Sequence, residues 1–290
     1  MGVAGGAGGL PGTSSEVFAD GLLDGHVALV TGGGTNLGKA AAAELVACGA
    51  SVVISGRRAD VLSASADEVG DRCSFVAGDV REAAECERIV GETVARHGRL
   101  DTLVSSAGGQ YFTPAEGITP KGWRAVMQLN VEGTVLMAEA AAGAMRAGGG
   151  GTIVNTTLSP HHGLVGMTHS SAARAVVEGL TRELAARWAA DRVRVCAVAP
   201  GPFDTTSLRK YPEAIRSSAA SSVPLQRLGR MEEHAWLVAL LASPLGAAFN
   251  GSVVTLDGAR DNWFGAWPSA GLRGEEGEVP TEERRSAPVT

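Results

Sequence analysis

Tyrosine is the scarcest chemistry-bearing residue in this chain of 290: there are two, Tyr111 and Tyr211, and aromatic residues make up only 4% of the whole. Any reaction that runs through a phenol must use one of these two. Cysteine is nearly as rare. Cys48, Cys73, Cys86 and Cys196 are scattered, with no CxxC and no Cys/His spacing suited to a metal, so neither a disulfide framework nor a thiolate metal centre is expected. No carboxylates are spaced with the histidines as a metal site requires. There is no excess of positive charge either. The formal net charge is -6, and nucleic acid is not an expected partner. No apolar run approaches the ~20 residues that cross a bilayer. The start, MGVAGGAGGLPGTSSE, has neither a basic n-region nor an apolar h-region, and the end carries no Ser-Lys-Leu address. A cytoplasmic protein without membrane attachment is the expectation.

The remaining composition, 44% hydrophobic and 19% charged, is that of a globular domain. Residues 26–31, HVALVT, form a β-branched apolar run that predicts a buried strand. Gly32-Gly33-Gly34-Thr35-Asn36-Leu37-Gly38 follows, and then an alanine-rich helix closed by Gly49. Strand, glycine turn and helix together place a pyrophosphate on a helix N-terminus. Further strands are expected at 51–55, 73–77, 100–105, 152–156, 193–198 and 252–256. Helices are expected at 81–96, 120–147, 168–190 and 231–241. Thr119 serves as N-cap and Pro120 as the first residue of the second of these. Strands that alternate with helices of this length predict an α/β fold: a Rossmann-like, doubly wound parallel sheet in one domain. The expected bounds are 21–267, with flexible tails at 1–20 and 268–290. The long irregular stretch 199–230 reads as a lid or binding loop.

The second strand ends in Gly56-Arg57-Arg58, with no acid before Asp60. NAD-preferring folds carry an acid near that strand end to hold the ribose 2′-hydroxyl. A guanidinium suits a 2′-phosphate instead. NADPH is therefore the expected cofactor, with Arg57 and Arg58 on its phosphate.

The stretches VTGGGTNLG (30–38), GDV (78–80), SSAG (105–108), LNVEGT (129–134), GTIVN (151–155), APG (199–201) and DGAR (257–260), in this order, resemble the short-chain dehydrogenase/reductase superfamily over about residues 22–262. GGGTNLGKA, GGQYFTPAEGITPKGW and HSSAARA are similar to its trans-2-enoyl-CoA and 2,4-dienoyl-CoA reductase branch. The resemblance implies pyrophosphate contacts from Gly32, Gly34, Thr35, Asn36, Leu37 and Gly38. It puts Asp79 and Val80 beside the adenine and Ala107 and Gly108 beside the ribose. Pro200, Gly201 and Thr205 would line the nicotinamide. Asn130 becomes the kink-forming asparagine that supports a proton-relay water. Thr157 becomes the substrate-orienting hydroxyl, thirteen residues before position 170. A homotetramer built on the two long helices is implied as well.

The family's Tyr-x-x-x-Lys is absent. Ser170-x-x-x-Arg174 stands in its place, with both residues on one helix face. An alcohol ionises far less readily than a phenol of pKa about 10, and arginine does not release its proton. Arg174 therefore supplies charge and a donor to the cofactor ribose, and does not relay a proton. Ser105-Ser106 replaces the usual Asn-Asn, which removes an amide that ties adjacent strands. Asn36 replaces a glycine, and its side chain is expected near the phosphates.

Reducing an enoyl thioester requires hydride at the β-carbon and donors where enolate charge develops. Thr157, Ser170 and Arg174 fit the second need. Tyr111, beyond the fourth strand, is the preferred phenol if one takes part. His161, His162 and His169 are weighed as acid/base groups against roles as pocket wall or interface. Three readings stay open from the residues. The first is an NADPH-dependent reductase of a small-molecule C=C or C=O, by resemblance an acyl thioester. The second is a non-redox isomerase, dehydratase or cyclase in the same pocket. The third is a dinucleotide-binding protein without chemistry.

Overall fold

A computed structural model describes residues 14–211 and 213–262. The expected polar tail at 268–290 lies outside the described residues, as does most of the expected N-terminal tail. From residue 14 onward the chain already touches the domain: Ser15 Oγ donates to Glu44 Oε1 (2.5 Å), and Phe18 packs against the core.

The described strands are β1 (Val27–Thr31), β2 (Ser51–Gly56), β3 (Cys73–Ala77), β4 (Thr102–Ser105), β5 (Gly151–Thr156), β6 (Val193–Pro200) and β7 (Val253–Leu256). They form one parallel sheet in the order β3-β2-β1-β4-β5-β6-β7. Helices cover both faces: α1 (Asn36–Ala47), α2 (Ala59–Val69), α3 (Ala83–His97), α4 (Pro120–Met127), α5 (Gly133–Gly148), α6 (Thr168–Trp188), α7 (Glu213–Ser218) and α8 (Met231–Ala242).

The strands read as unbroken apolar runs because both faces of the sheet are buried. Alternate residues feed two cores. Val30, Ile54, Val104 and Val154 meet α1 and α8, whereas Leu29, Val53, Leu103 and Ile153 meet α3 and α5. Each of these side chains is fully buried and contributes about 1.5–3 kcal/mol of transfer free energy. The strand order reverses between β1 and β4. The carboxyl ends of those two strands therefore open a crevice, where ligands bind in sheets of this kind.

The sequence predicts one helix over 120–147, and the structure divides it. Thr119 Oγ1 accepts from Gly122 N (3.1 Å) and caps α4, with Pro120 in the first turn as expected. After Met127 the chain widens into a π-helical turn, Gln128–Glu132, before α5 resumes. Asn130 lies in that turn, fully buried, where the resemblance puts a kink. π-Bulges mark functional sites often enough that the location is informative.

His234 on α8 makes the fold acid-sensitive. It is fully buried against Phe203, and neither ring nitrogen has a partner. Burial pushes its pKa down from 6.5 to about 4. The folded state therefore holds it neutral while the unfolded chain protonates it below about 6.5. Its contribution is complete above that pH and falls as pH drops towards 4, by about 3 kcal/mol across the window. The His234→Leu variant should lose less thermal stability than the parent chain between pH 7 and 4.5, as measured by melting temperature. Equal losses would show that another group controls acid unfolding.

Candidate active site

The cofactor half of the crevice begins at the turn from β1 to α1. Gly32 has φ +67, and a Cβ there would stand 2.8 Å from the Ser106 carbonyl. At Gly38 a Cβ would stand 2.5 Å from the Gly32 carbonyl. Only bare backbone fits at these two positions. Thr35 is extended at the N-cap and its side chain makes no capping bond, while the first turn of α1 carries no acid. The N–H groups and positive end of α1 are thus left to an anion. A dinucleotide's pyrophosphate fits this cradle on that ground.

Asn36 takes the left-handed conformation, φ +48, which asparagine tolerates better than most residues. Its side chain turns to the lid. Oδ1 accepts from Thr206 N and Thr206 Oγ1 (2.9 Å each), and Nδ2 donates to Ser207 Oγ (3.3 Å). Nothing in the spacing of residues 36 and 206 predicts this latch. Gly34, Leu37, Arg57 and Arg58 border the same crevice, the two arginines exposed. Asp79 is clamped by Arg81, whose Nε stands 2.9 Å from Oδ1. That guanidinium holds the Asp79 carboxyl below the usual carboxylate range. Val80 packs beside Gly133.

The missing Asn-Asn amide has a substitute in Thr31. Its Oγ1 accepts from Ser106 N (3.2 Å) and Ala107 N (3.1 Å), tying the end of β1 to the β4 turn. Ala107 and Gly108 line the crevice. A Cβ on Gly108 would collide with the Arg174 guanidinium and stand 2.8 Å from Asn130 Oδ1. On the opposite wall, Pro200 and Gly201 end β6. Thr205 Oγ1 accepts from Leu208 N (3.2 Å) at the base of the lid.

The second half lies at the start of α6. Ser170 is fully buried, and its Oγ donates to Gln110 Oε1 (2.6 Å). Gln110 Nε2 in turn donates to the Tyr211 hydroxyl (2.7 Å). Arg174 Nη1 donates to the Thr156 carbonyl (2.7 Å), and its Nε has no partner. Arg174 takes part in none of the ion pairs among the described residues. Desolvation lowers its pKa from 12.5 to about 10, so it remains a cation at neutral pH. Thr157 Oγ1 makes a long bond to the Val198 carbonyl (3.3 Å) at the crevice edge.

Asn130 spends its amide on the protein. Nδ2 donates to the Gly109 and Val126 carbonyls (2.8 Å each), and Oδ1 accepts from Gly109 N (3.2 Å). The π-turn thereby fixes the strand-end loop that carries Gln110.

The other candidates make no hydrogen bond to Ser170, though Tyr111 lines the same cavity. The Tyr111 hydroxyl lies against Gly122, and its ring packs edge-on to His169 with centroids 4.3 Å apart. His169 is fully buried with neither nitrogen bonded, and burial lowers its pKa. It is a neutral wall residue. His161 binds Glu178 (2.7 Å) and Thr255 (2.9 Å), and His162 stands 3.3 Å from Asp261. Sequence reasoning missed Gln110, Arg81, Thr206 and Ser207. Gln110 stands in GGQYF beside the tyrosine that drew attention, but no spacing rule pairs it with a serine sixty positions on.

Both halves open into one cavity of about 1340 Å³. Its lining includes Leu164, Met167 and Ile215 beside the residues of the glycine turn. An apolar wall beside a half-buried cation and the Thr157 hydroxyl suits a substrate with an apolar body and one oxygen that gains charge.

If Asn36 holds the lid, Asn36→Ala should speed amide exchange at Thr206 by about fivefold per lost hydrogen bond, since each contributes roughly 1 kcal/mol. Melting temperature should barely change. Unchanged exchange at Thr206 would show that the latch contributes nothing.

The family model for enoyl-(acyl carrier protein) reductase matches residues 33–259. A probable 2,4-dienoyl-CoA reductase of Bacillus subtilis is 36% identical over 250 residues, covering 83% of this chain and 97% of that protein. A peroxisomal 2,4-dienoyl-CoA reductase of Arabidopsis thaliana is 32% identical, with 83% and 86% covered. Among solved structures, a citronellol catabolism dehydrogenase of Pseudomonas aeruginosa superposes with a TM-score of 0.76 at 36% identity, covering 84% and 98%. The 3-ketoacyl-(acyl-carrier-protein) reductase of Brucella melitensis, complexed with NADH, gives 0.78 at 27% identity, covering 82% and 99%. The chain belongs to the short-chain dehydrogenase/reductase family of oxidoreductases, in the group that the enoyl-(acyl carrier protein) reductase model describes.

Proposed function

We propose that this protein is an NADPH-dependent reductase of an activated carbon–carbon double bond, with an enoyl or dienoyl thioester as its substrate class. The observation that carries this reading is Arg174, a cation without a carboxylate beside the crevice, on the same helix face as Ser170. Hydride addition to such a thioester moves negative charge onto its carbonyl oxygen. Preorganised donors at that oxygen are the usual large contribution to catalysis. Arg174 provides them at the crevice without any group that must ionise; the Thr157 hydroxyl borders the crevice, and Ser170, whose hydroxyl donates to Gln110, holds Gln110 in place. The reduced nicotinamide supplies the hydride when bound. Pro200, Gly201 and Thr205 hold that end of it, and Arg174 also donates to its ribose.

The nucleotide preference rests on β2. Its end offers Arg57 and Arg58, both exposed at the crevice, and no acid before Asp60. A 2′-phosphate meets a planar donor there. We assign the two long helical segments, α4–α5 and α6, to subunit packing in a homotetramer.

Purified protein should consume NADPH, followed at 340 nm, with crotonyl- or dienoyl-type thioesters. No NADPH binding at millimolar concentration would end the reductase reading. The Arg57→Ala change should weaken NADPH about tenfold, or about 1.4 kcal/mol, and leave NADH unchanged. Equal weakening of both would remove Arg57 from the phosphate. Removing one oxyanion donor typically costs about 10²–10³ in turnover. Arg174→Ala should therefore lower kcat by about 10²-fold or more and also weaken the cofactor, and Ser170→Ala, which frees Gln110, should lower kcat about tenfold. A Ser170→Ala variant with unchanged kcat takes Ser170 out of the mechanism.

A further inference from the structure

Reduction of a double bond consumes a proton as well as a hydride. Ser170 and Arg174 are both poor sources of it, one an alcohol and the other a guanidinium. The hydrogen bonds around Ser170 run in one direction. Ser170 Oγ–H points at Gln110 Oε1 (2.6 Å), and Gln110 Nε2–H points at the Tyr211 oxygen (2.7 Å). The phenol oxygen is therefore an acceptor in this chain, and its own hydrogen is left to point elsewhere. Its neighbour is Met167 Sδ at 3.6 Å, and a thioether is a weak acceptor. A substrate atom can take the place of that sulfur at small cost. Gln110, Met167 and Tyr211 all border the cavity.

Resting on the reductase reading above, we propose that Tyr211, carried by the lid, is the catalytic acid. A bound reduced nicotinamide would supply hydride to the acceptor carbon and so leave an enolate. The electron pair of the enolate then forms a C–H bond at the α-carbon as the Tyr211 O–H bond breaks. The product leaves saturated at that carbon, and Tyr211 remains as a phenolate. The Gln110 N–H stays on its oxygen throughout, and water returns the proton when the lid opens. The other phenol, Tyr111, also borders the cavity, but its hydroxyl lies against Gly122 and its ring on His169, and no bond joins it to Ser170. A proton donor on the lid arrives only when the lid lies over the substrate, so water is excluded in the same motion.

The test compares the wild-type chain with Tyr211→Phe, using NADPH and a 2,4-dienoyl thioester, in water and in D₂O. Tyr211→Phe should lower kcat by about 10²–10⁴, the usual contribution of a general acid. KM and the NADPH dissociation constant should stay within about threefold, and the melting curve should be unchanged. Wild-type product formed in D₂O should carry deuterium on one face of the α-carbon. Product from Tyr211→Phe should carry it on both, because solvent then delivers the proton. A wild type that turns over beside a Tyr211→Phe variant with full kcat and one-face labelling overturns the assignment of Tyr211 and leaves the reductase reading intact. A wild type that consumes no NADPH with any such thioester overturns the reductase reading, and this assignment with it.

Discussion

Arg174 donates one hydrogen bond to the Thr156 carbonyl and enters none of the ion pairs among the described residues. A half-buried charge gives up part of its hydration. The fold accepts this cost at the mouth of the crevice, where a substrate oxygen that gains negative charge would offset it. The neighbouring residues leave the cation room. Gly108 has no side chain to collide with the guanidinium, and Asn130 spends its amide on the loop in place of competing for the charge. The π-turn places Asn130 there, and the break between α4 and α5 follows from it.

One segment closes both halves of the crevice. Asn36 fastens Thr206 and Ser207 to the pyrophosphate turn, while Gln110 fastens Tyr211 to the start of α6. The lid therefore reports on both ends of the cavity at once. A glycine at position 36 would suit the backbone equally well and would leave the first fastening out. The asparagine is better understood through its side chain than through its φ of +48.

The sheet was legible because its strands are apolar on both faces and its glycine turn has one common use. The capped start of α4 could also be read, from Thr119 and Pro120. What could not be read depends on contacts between distant positions. Gln110 and Ser170 are sixty residues apart, and Asn36 and Thr206 are 170 apart. No periodicity or spacing encodes either pair. The histidines in residues 161–169 drew attention by composition alone. Packing sends His161 to Glu178 and Thr255 and buries His169 under Tyr111, so their number said little about chemistry. The loss of Asn-Asn before Ala107 suggested a loosened strand pair. Thr31, a strand residue with no outward sign of a role, supplies the tie through its hydroxyl.

The central claim is that this site carries enolate charge and does not deliver a proton to a carbonyl oxygen as a tyrosine-based reductase does. The most direct measurement is a comparison of kcat/KM with NADPH for two thioesters of one chain length, a 2,4-dienoyl and a 3-ketoacyl. With Ser170 and Arg174 in place of the phenol and ammonium, the dienoyl thioester should be preferred by at least about 10²-fold, a difference of roughly 2.7 kcal/mol in transition-state binding. A 3-ketoacyl thioester reduced as fast or faster would contradict the account.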